Sequence, residues 1–330
     1  MKLYGKDILT AYFKTALRKH TLGHLYIFEG AVGMGKKTLC RHLAGMIQCE
    51  STDSPPCGTC SACVKTQSGN HPDIVFVEAD AKNPLNVERA RSLVADMYVK
   101  PFLSERKIII IPNGETLSPA VQNTLLKAFE EPPSYITIFL TATNRDALLK
   151  TVLSRAIVLQ LPGCSTGELA AYIRENFPGR AADASFLAGS AGGSIGKARF
   201  LAEDEGYLAM RSALFSVLPR LTASRSGIYA VRKCFEEYKD ALPQLLSFFS
   251  SWMRDCIFLQ ISDDAVLLNQ DVHSALSEFA FSVSPEAAVR CHEAAVSLAS
   301  SLGKGSNYTL WITDFLTECW RYCHDTNRRC

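Results

Sequence analysis

The sequence predicts an α/β fold: a mostly parallel β-sheet with helices on both faces, followed by an all-helical C-terminal half. Three observations carry this. Short apolar runs alternate with helix-period segments through the first 160 residues, the pattern of strands joined by crossover helices. A glycine-rich phosphate-loop pattern stands between the first of these runs and the helix after it. Beyond "LPGCSTGEL" at 161–169, which reads as a linker, the strand signals stop.

The elements follow in order. The N-terminal "MKLYGKDILTAYFKTALRKH" reads as an amphipathic helix without the apolar core of a signal peptide. "HLYIFEG" is a short strand ending at a glycine loop, and "KTLCRHLAGMIQC" puts Leu39, Leu43, Ala44 and Ile47 on one helical stripe. "DIVFVEA" at 73–79 is a second strand, and "NVERARSLVADMYVK" a helix with Val87, Ala90, Leu93 and Val94 at three- and four-residue steps. "KIIIIPN" does not alternate, so it is a strand buried on both faces. "SPAVQNTLLKAFEEPP" is a helix with Ser118 as N-cap, Pro119 at its first position and Pro132 and Pro133 to stop it. "YITIFLTAT" and "IVLQL" at 157–161 complete five strands. Two or three short helices are expected between 165 and about 205, and the rest is helical.

The chain has 330 residues, enough for two or three domains. Its composition, 47% hydrophobic and 21% charged, is that of a soluble globular protein. A net charge of +2 gives no global case for autonomous nucleic-acid binding. No apolar run is long enough to span a bilayer. A cytoplasmic location, where thiols stay reduced, is expected, so the 12 cysteines point to metal binding or buried thiols rather than disulfides.

Gly30, Gly33, Gly35 and Lys36 reproduce G-x-x-x-x-G-K between a strand and a helix. Glycines let backbone N–H groups turn inward around phosphate oxygens, and the helix N-terminus adds a positive field. ATP or ADP is therefore a candidate ligand, with Lys37 and Thr38 next in line. Hydrolysis needs a hydroxyl and an acid on magnesium. Lys37 stands at the hydroxyl position, and Thr38, one residue late, is rotated about 100° around the helix. After "KIIII" the acid positions hold Pro112 and Asn113, and Glu115 comes two or three residues late. The expectation is a site that does not hydrolyse ATP.

Cys49, Cys57, Cys60 and Cys63 form a second cluster, with two C-x-x-C steps. Four thiolates in a reducing compartment suit a closed tetrahedral zinc site of structural type, with iron–sulfur ligation or buried free thiols as the alternatives. A third candidate is Arg155, in "TVLSRA" before the last strand. It either pairs with a local carboxylate or, exposed at the edge of a phosphate-loop module, reaches the γ-phosphate of a neighbouring subunit.

These segments, with "KPFLSERKIIII", "QNTLLKAFEEPP" and "FLTATNRDALLKTVLSRA", resemble the δ′-type clamp-loader subunits of bacterial DNA polymerase III, of the AAA+ family. The resemblance implies an AAA+ nucleotide-binding domain over 1–163 with the zinc module at 49–63, a helical lid at 164–205 and a helical collar at 206–330. It implies a hetero-pentamer with γ/τ motor subunits and a δ subunit, acting on the sliding clamp and primer–template DNA in the replisome, with no membrane role. Arg155 would be the finger given in trans. Tyr4, Gly5 and Lys6 would lie on the adenine side, and in "GGSIGKA" Gly196 would replace the lid arginine, with Lys197 beside it. The alternatives are an active γ/τ-type ATPase motor and a small-molecule kinase. The aromatics Phe248, Phe249, Trp252, Trp311, Phe315 and Trp320 read as collar core or interface, and Lys100, Lys107 and Lys127 as solvated surface or DNA-facing. His24 and His71 read as structural.

Overall fold

The computed structural model describes residues 3–77, 85–262, 266–301 and 308–324. It divides into two compact units, one of Met1–Tyr172 with Ala191–Ala198 and the other of Ile173–Ser190 with Arg199–Cys330.

The first unit begins with α1 (Asp7–Arg18), β1 (Leu25–Glu29), α2 (Lys36–Ile47) and α3 (Ser61–Gln67). It continues with β2 (Ile74–Phe76), α4 (Val87–Met97), β3 (Lys107–Ile111) and α5 (Pro119–Glu130). Then come β4 (Ile136–Ala142), α6 (Lys150–Leu153), β5 (Ile157–Gln160) and the start of α7 (Thr166–Asn176). All strand pairs are parallel and the sheet order is β2-β3-β4-β1-β5. Side chains alternate across a strand, so each strand serves two cores. Ile27, Ile109, Ile111, Ile138 and Leu140 face Leu93, Leu125 and Phe129 of α4 and α5. Tyr26, Phe28, Ile108, Ile110 and Phe139 face Phe13, Leu39 and Leu43 of α1 and α2. The unbroken isoleucine run of β3 is buried along its whole length for this reason.

The sequence reading of the elements departs from the structure in three places. The second strand is short, Ile74–Phe76, and Glu78 and Ala79 of the expected run lie outside the described residues. Helix α3, inside the cysteine segment, was not expected from the sequence. The expected linker at 161–169 ends as helix. Ser165 Oγ accepts from Glu168 N at 3.2 Å while Glu168 accepts from Ser165 N at 2.7 Å, a reciprocal cap that starts α7.

The second unit is helical. It contains α8 (Ala184–Ser190), the end of α9 (Ile195–Glu203), α10 (Glu205–Val217), α11 (Arg220–Ala223) and α12 (Arg225–Glu237). Then follow α13 (Leu242–Ile261), α14 (His273–Ser282), α15 (Pro285–Ser301) and α16 (Tyr308–His324). Phe248, Phe249 and Trp252 on α13 are fully buried, as core residues should be. The Arg211 guanidinium is held between the rings of Phe186 and Phe215, 4.0 and 4.5 Å from their centroids. It donates to both carboxylate oxygens of Asp271 at 2.7 Å, a bidentate pair. Among the described residues no helix is long and apolar enough to cross a membrane.

Candidate functional site

The glycine loop follows β1 in mid-sheet and leads into α2. Gly33 and Gly35 have φ of 79° and 83°, the left-handed region that glycine adopts without strain, and Gly35 is the N-cap of α2. Lys36 is buried and donates to the carbonyls of Gly30 and, at 3.0 Å, Ala31. Burial pushes its pKa down, and the nearby Glu115 carboxylate opposes that shift. Lys37 and Thr38 are exposed. The cradle geometry and the buried lysine fit a bound phosphate chain.

The segment Ala191–Ala198 packs against this loop. Gly196 N donates to Gly33 O at 2.8 Å, and Ser194 Oγ donates to Val32 O at 3.3 Å. A Cβ on Gly196 would lie 2.9 Å from Gly33 Cα, and one on Gly33 would collide with Ser194 Oγ. Nearby, Lys6 is buried and donates to Pro162 O at 2.6 Å, and Cys164 N donates to Gly193 O at 2.9 Å. Gly5 has a φ of 63°, and the Cys164 thiol donates to the carbonyl of Tyr4 at 3.3 Å, so the N-terminal segment rests on residues 162–164.

At the end of β3, Pro112 and Asn113 carry no acid to the loop. Asn113 takes a left-handed φ of 55°, and its N–H donates to Thr141 Oγ1 at 3.1 Å. That turn sends the chain back over the ends of the strands, so Glu115 accepts from Thr143 N at 3.1 Å. Thr143 follows Ala142, whose carbonyl accepts from Gly30 N at 3.1 Å. Sequence spacing alone hid this return of a carboxylate toward the loop.

The four clustered cysteines converge. Their sulfurs all lie within 4.8 Å of one another, with Cys57 and Cys63 sulfurs 4.0 Å apart. A tetrahedral ion with bonds of about 2.3 Å needs sulfur–sulfur edges of about 3.8 Å, so a small contraction closes the set. Backbone N–H groups of Cys57, Cys60 and Cys63 donate to the sulfurs of Cys49, Cys57 and Cys60 at 3.3, 3.4 and 3.4 Å. The N–H groups of Thr59 and Cys60 draw the Cys57 pKa down to about 6, whereas burial raises those of Cys49 and Cys63. Short α3, capped by Cys60, is what turns Cys63 inward. The donor set is that of a four-thiolate metal centre.

Arg155 follows α6 and precedes β5. It pairs with Glu130 at the end of α5, 2.7 Å away, and donates to Thr151 O at 2.8 Å. Ile157 pairs with Tyr26, four residues before Gly30, so the arginine enters the sheet about 13 Å below the chain's own phosphate loop at a strand rise of about 3.3 Å per residue. It stands apart from that loop.

Two family models match. One, described as DNA polymerase III, delta subunit, covers residues 5–165. The other, described as DNA polymerase III, delta subunit, C terminal, covers residues 205–320. The chain belongs to the DNA polymerase III delta-subunit family of clamp-loader proteins. Among relatives it is 25% identical over 245 residues to the DNA polymerase III subunit delta' of Pseudomonas aeruginosa, covering 73% of this chain and 74% of that one. It is 30% identical over 197 residues to the subunit tau/gamma of Haemophilus influenzae, covering 58% of this chain and 28% of that one. The chain thus spans well under half of that longer relative. A gamma subunit-related protein of Thermotoga maritima is similar in structure, with 17% identity, a TM-score of 0.40 and coverage of 94% and 99% of the two chains.

For a member of this clamp-loader family, the structure brings Gly30, Gly33, Gly35 and Lys36 together, with Lys37 and Thr38 exposed in the first turn of α2 and Arg155 apart, before β5. Lys107, read as surface, is a buried residue paired with Asp96 at 2.9 Å and also donating to Asp96 O. It anchors α4 to β3 and is closed to DNA. The sequence signal for this was its place as the first residue of an otherwise buried strand. Lys100 and Lys127 are exposed.

Proposed function

We propose that this chain is a non-hydrolysing subunit of the bacterial DNA polymerase III clamp loader, working in the cytoplasm. It completes a hetero-pentameric ring with γ/τ motor subunits and a δ subunit, and so helps place the sliding clamp on primer–template DNA. The observation that carries the reading is the tip of β3, two strand positions from the strand that feeds the phosphate loop, where Pro112 and Asn113 stand in place of acids. Neither can hold magnesium as a carboxylate does or draw a proton from water. The loop with Lys36 would hold ATP or ADP as a structural ligand, and the four cysteines a structural zinc that fixes α3 against α2. When bound, zinc supplies rigidity there rather than chemistry, because the protein fills all four positions.

In this reading Arg155 is the finger offered to a neighbouring subunit. Its contact with Glu130 is a half-exposed ion pair, of a kind worth about 0–1 kcal/mol, so a γ-phosphate on a neighbouring subunit can replace that carboxylate at small cost. A finger so placed raises phosphoryl-transfer rates by about 10³- to 10⁵-fold. A second reading, an active motor of the γ/τ type, is favoured by one observation, the return of Glu115 to Thr143 beside the loop. Steady-state ATP turnover by the purified chain, with magnesium and primed DNA, separates the two. Turnover at background, with Arg155→Ala depressing the ATPase of a reconstituted complex, supports the non-hydrolysing subunit. Turnover that vanishes in Lys36→Ala supports the motor.

A further inference from the structure

The phosphate loop has a carboxylate of its own. Strand β4 lies between β3 and β1 in the sheet, and adjacent strands are about 4.8 Å apart. Glu115 leaves the end of β3, crosses the end of β4 and is fastened there by Thr143 N at 3.1 Å. It therefore stops about one strand spacing from Gly30, whose N–H donates to the carbonyl of Ala142 next to Thr143, and near enough for its charge to act on Lys36. Among the described residues, Glu29 at the end of β1 is engaged by Arg145, whose backbone N–H it accepts at 3.1 Å. Asn113 enables the arrangement, because its left-handed φ of 55° turns the chain back toward the strand ends.

We infer that Glu115 is an internal counter-anion of the phosphate loop. It balances Lys36 when no phosphate is present, and its charge opposes the entry of a nucleotide's terminal phosphates. The loop thereby keeps a stable empty form and takes polyphosphates weakly. A carboxylate and a phosphate at this separation repel across a partly buried site, where the effective dielectric is far below that of water. Magnesium would lessen the conflict by bridging the two anions, so the barrier is greatest for magnesium-free nucleotide. This inference rests on the reading of the chain as a non-hydrolysing subunit and goes further, giving the site a residue that sets its affinity.

The test is binding of ATP to the full chain by calorimetry, in magnesium-free buffer without chelator and again in magnesium, for wild type, Glu115→Gln and the double variant with Lys36→Ala. Glutamine keeps an oxygen for Thr143 N and removes only the charge. Without magnesium, Glu115→Gln should bind ATP about tenfold more tightly than wild type, with a smaller gain in magnesium. The double variant should lose that gain. Unchanged or weaker binding by Glu115→Gln without magnesium overturns the inference, and so does absence of binding by both chains. Turnover measured on the same samples keeps the two readings apart. Weaker binding without turnover in any chain sinks the counter-anion alone. Wild-type turnover that Glu115→Gln abolishes makes Glu115 a magnesium or water ligand and sinks both.

Discussion

Replacing Asp73 is predicted to loosen one loop without unfolding the helical unit. The Asp73 carboxylate is 2% exposed. Its oxygens accept the backbone N–H groups of Phe102, Leu103 (2.8 Å) and Ser104 (2.9 Å), while its own carbonyl accepts from Ile108 N at 2.8 Å. One side chain thus fixes the turn that enters β3 and displays Phe102 and Leu103 to solvent. Asp73→Ala leaves three donors without an acceptor. Hydrogen bonds to a charged group are worth about 1.5–3 kcal/mol each, but solvent reaches this loop, so about 1 kcal/mol per bond and about 3 kcal/mol in total is the working figure. Asp73→Asn retains an oxygen for Leu103 and Ser104 and loses the Phe102 bond, which costs about 1 kcal/mol. The assay follows from where the chromophores lie. All 3 tryptophans fall at 252, 311 and 320, in the second unit. Urea unfolding followed by far-ultraviolet circular dichroism should shift to lower denaturant, while tryptophan emission keeps its midpoint. Amide exchange at 102–104 should accelerate. Equal costs for Asn and Ala, or a loss under about 1 kcal/mol for Ala, would refute the reasoning.

Other expectations follow from the same geometry. Gly227 of α12 faces Arg220 of α11 so closely that a Cβ would overlap the Arg220 carbonyl. Gly227→Ala should therefore cost about 1–3 kcal/mol, as overpacking does, and here tryptophan emission should report the shift. His71 is buried, its Nδ1 accepts from Asp73 N at 3.2 Å, and burial holds its pKa below the ordinary 6.5. On acidification the unfolded chain protonates first. The stability His71 contributes is present above pH 6.5 and is lost as pH falls through the folded-state value. His71→Gln should flatten that acid slope in denaturation curves. Purified protein should carry about one zinc per chain by elemental analysis. Cys60→Ser should lower that content and expose the 49–67 segment to proteolysis while leaving the helical unit intact.

What the sequence disclosed was local, and what it concealed depended on long-range closure. The isoleucine run of β3 and the Ser118–Pro119 start of α5 carry their structural instructions within a few residues, and Ser118 Oγ accepts from Val121 N at 3.4 Å as a cap should. The glycine loop and the cysteine spacing are likewise written in one short stretch each. Ser165 and Glu168 were equally legible, since S-x-x-E is a capping-box pattern, but the neighbouring proline and glycine suggested a linker. Glu115, Asp73 and Lys107 are different. Each acts on a segment 28, 29 to 31 or 11 residues away, through a fold that spacing alone does not specify.

The glycine loop can be explained without nucleotide. Gly33 is needed where Ser194 presses on it, Gly196 is needed where it meets Gly33, and Gly163 meets Gly193 backbone to backbone. Substituting any of these would disturb packing in a chain that never met ATP, so the glycines are weak witnesses to ligand binding. Lys36 is a stronger one. Its aliphatic stem could be replaced by an apolar side chain, which would avoid the cost of burying an ammonium that burial already drives toward neutrality. The charge is instead kept, bonded to two loop carbonyls and opposed by Glu115. A buried cation with a nearby fixed anion is the electrostatic arrangement of a site that can exchange one anion for another. On the counter-anion inference, the balance between Lys36 and Glu115, rather than the glycine pattern, sets the loop's occupancy.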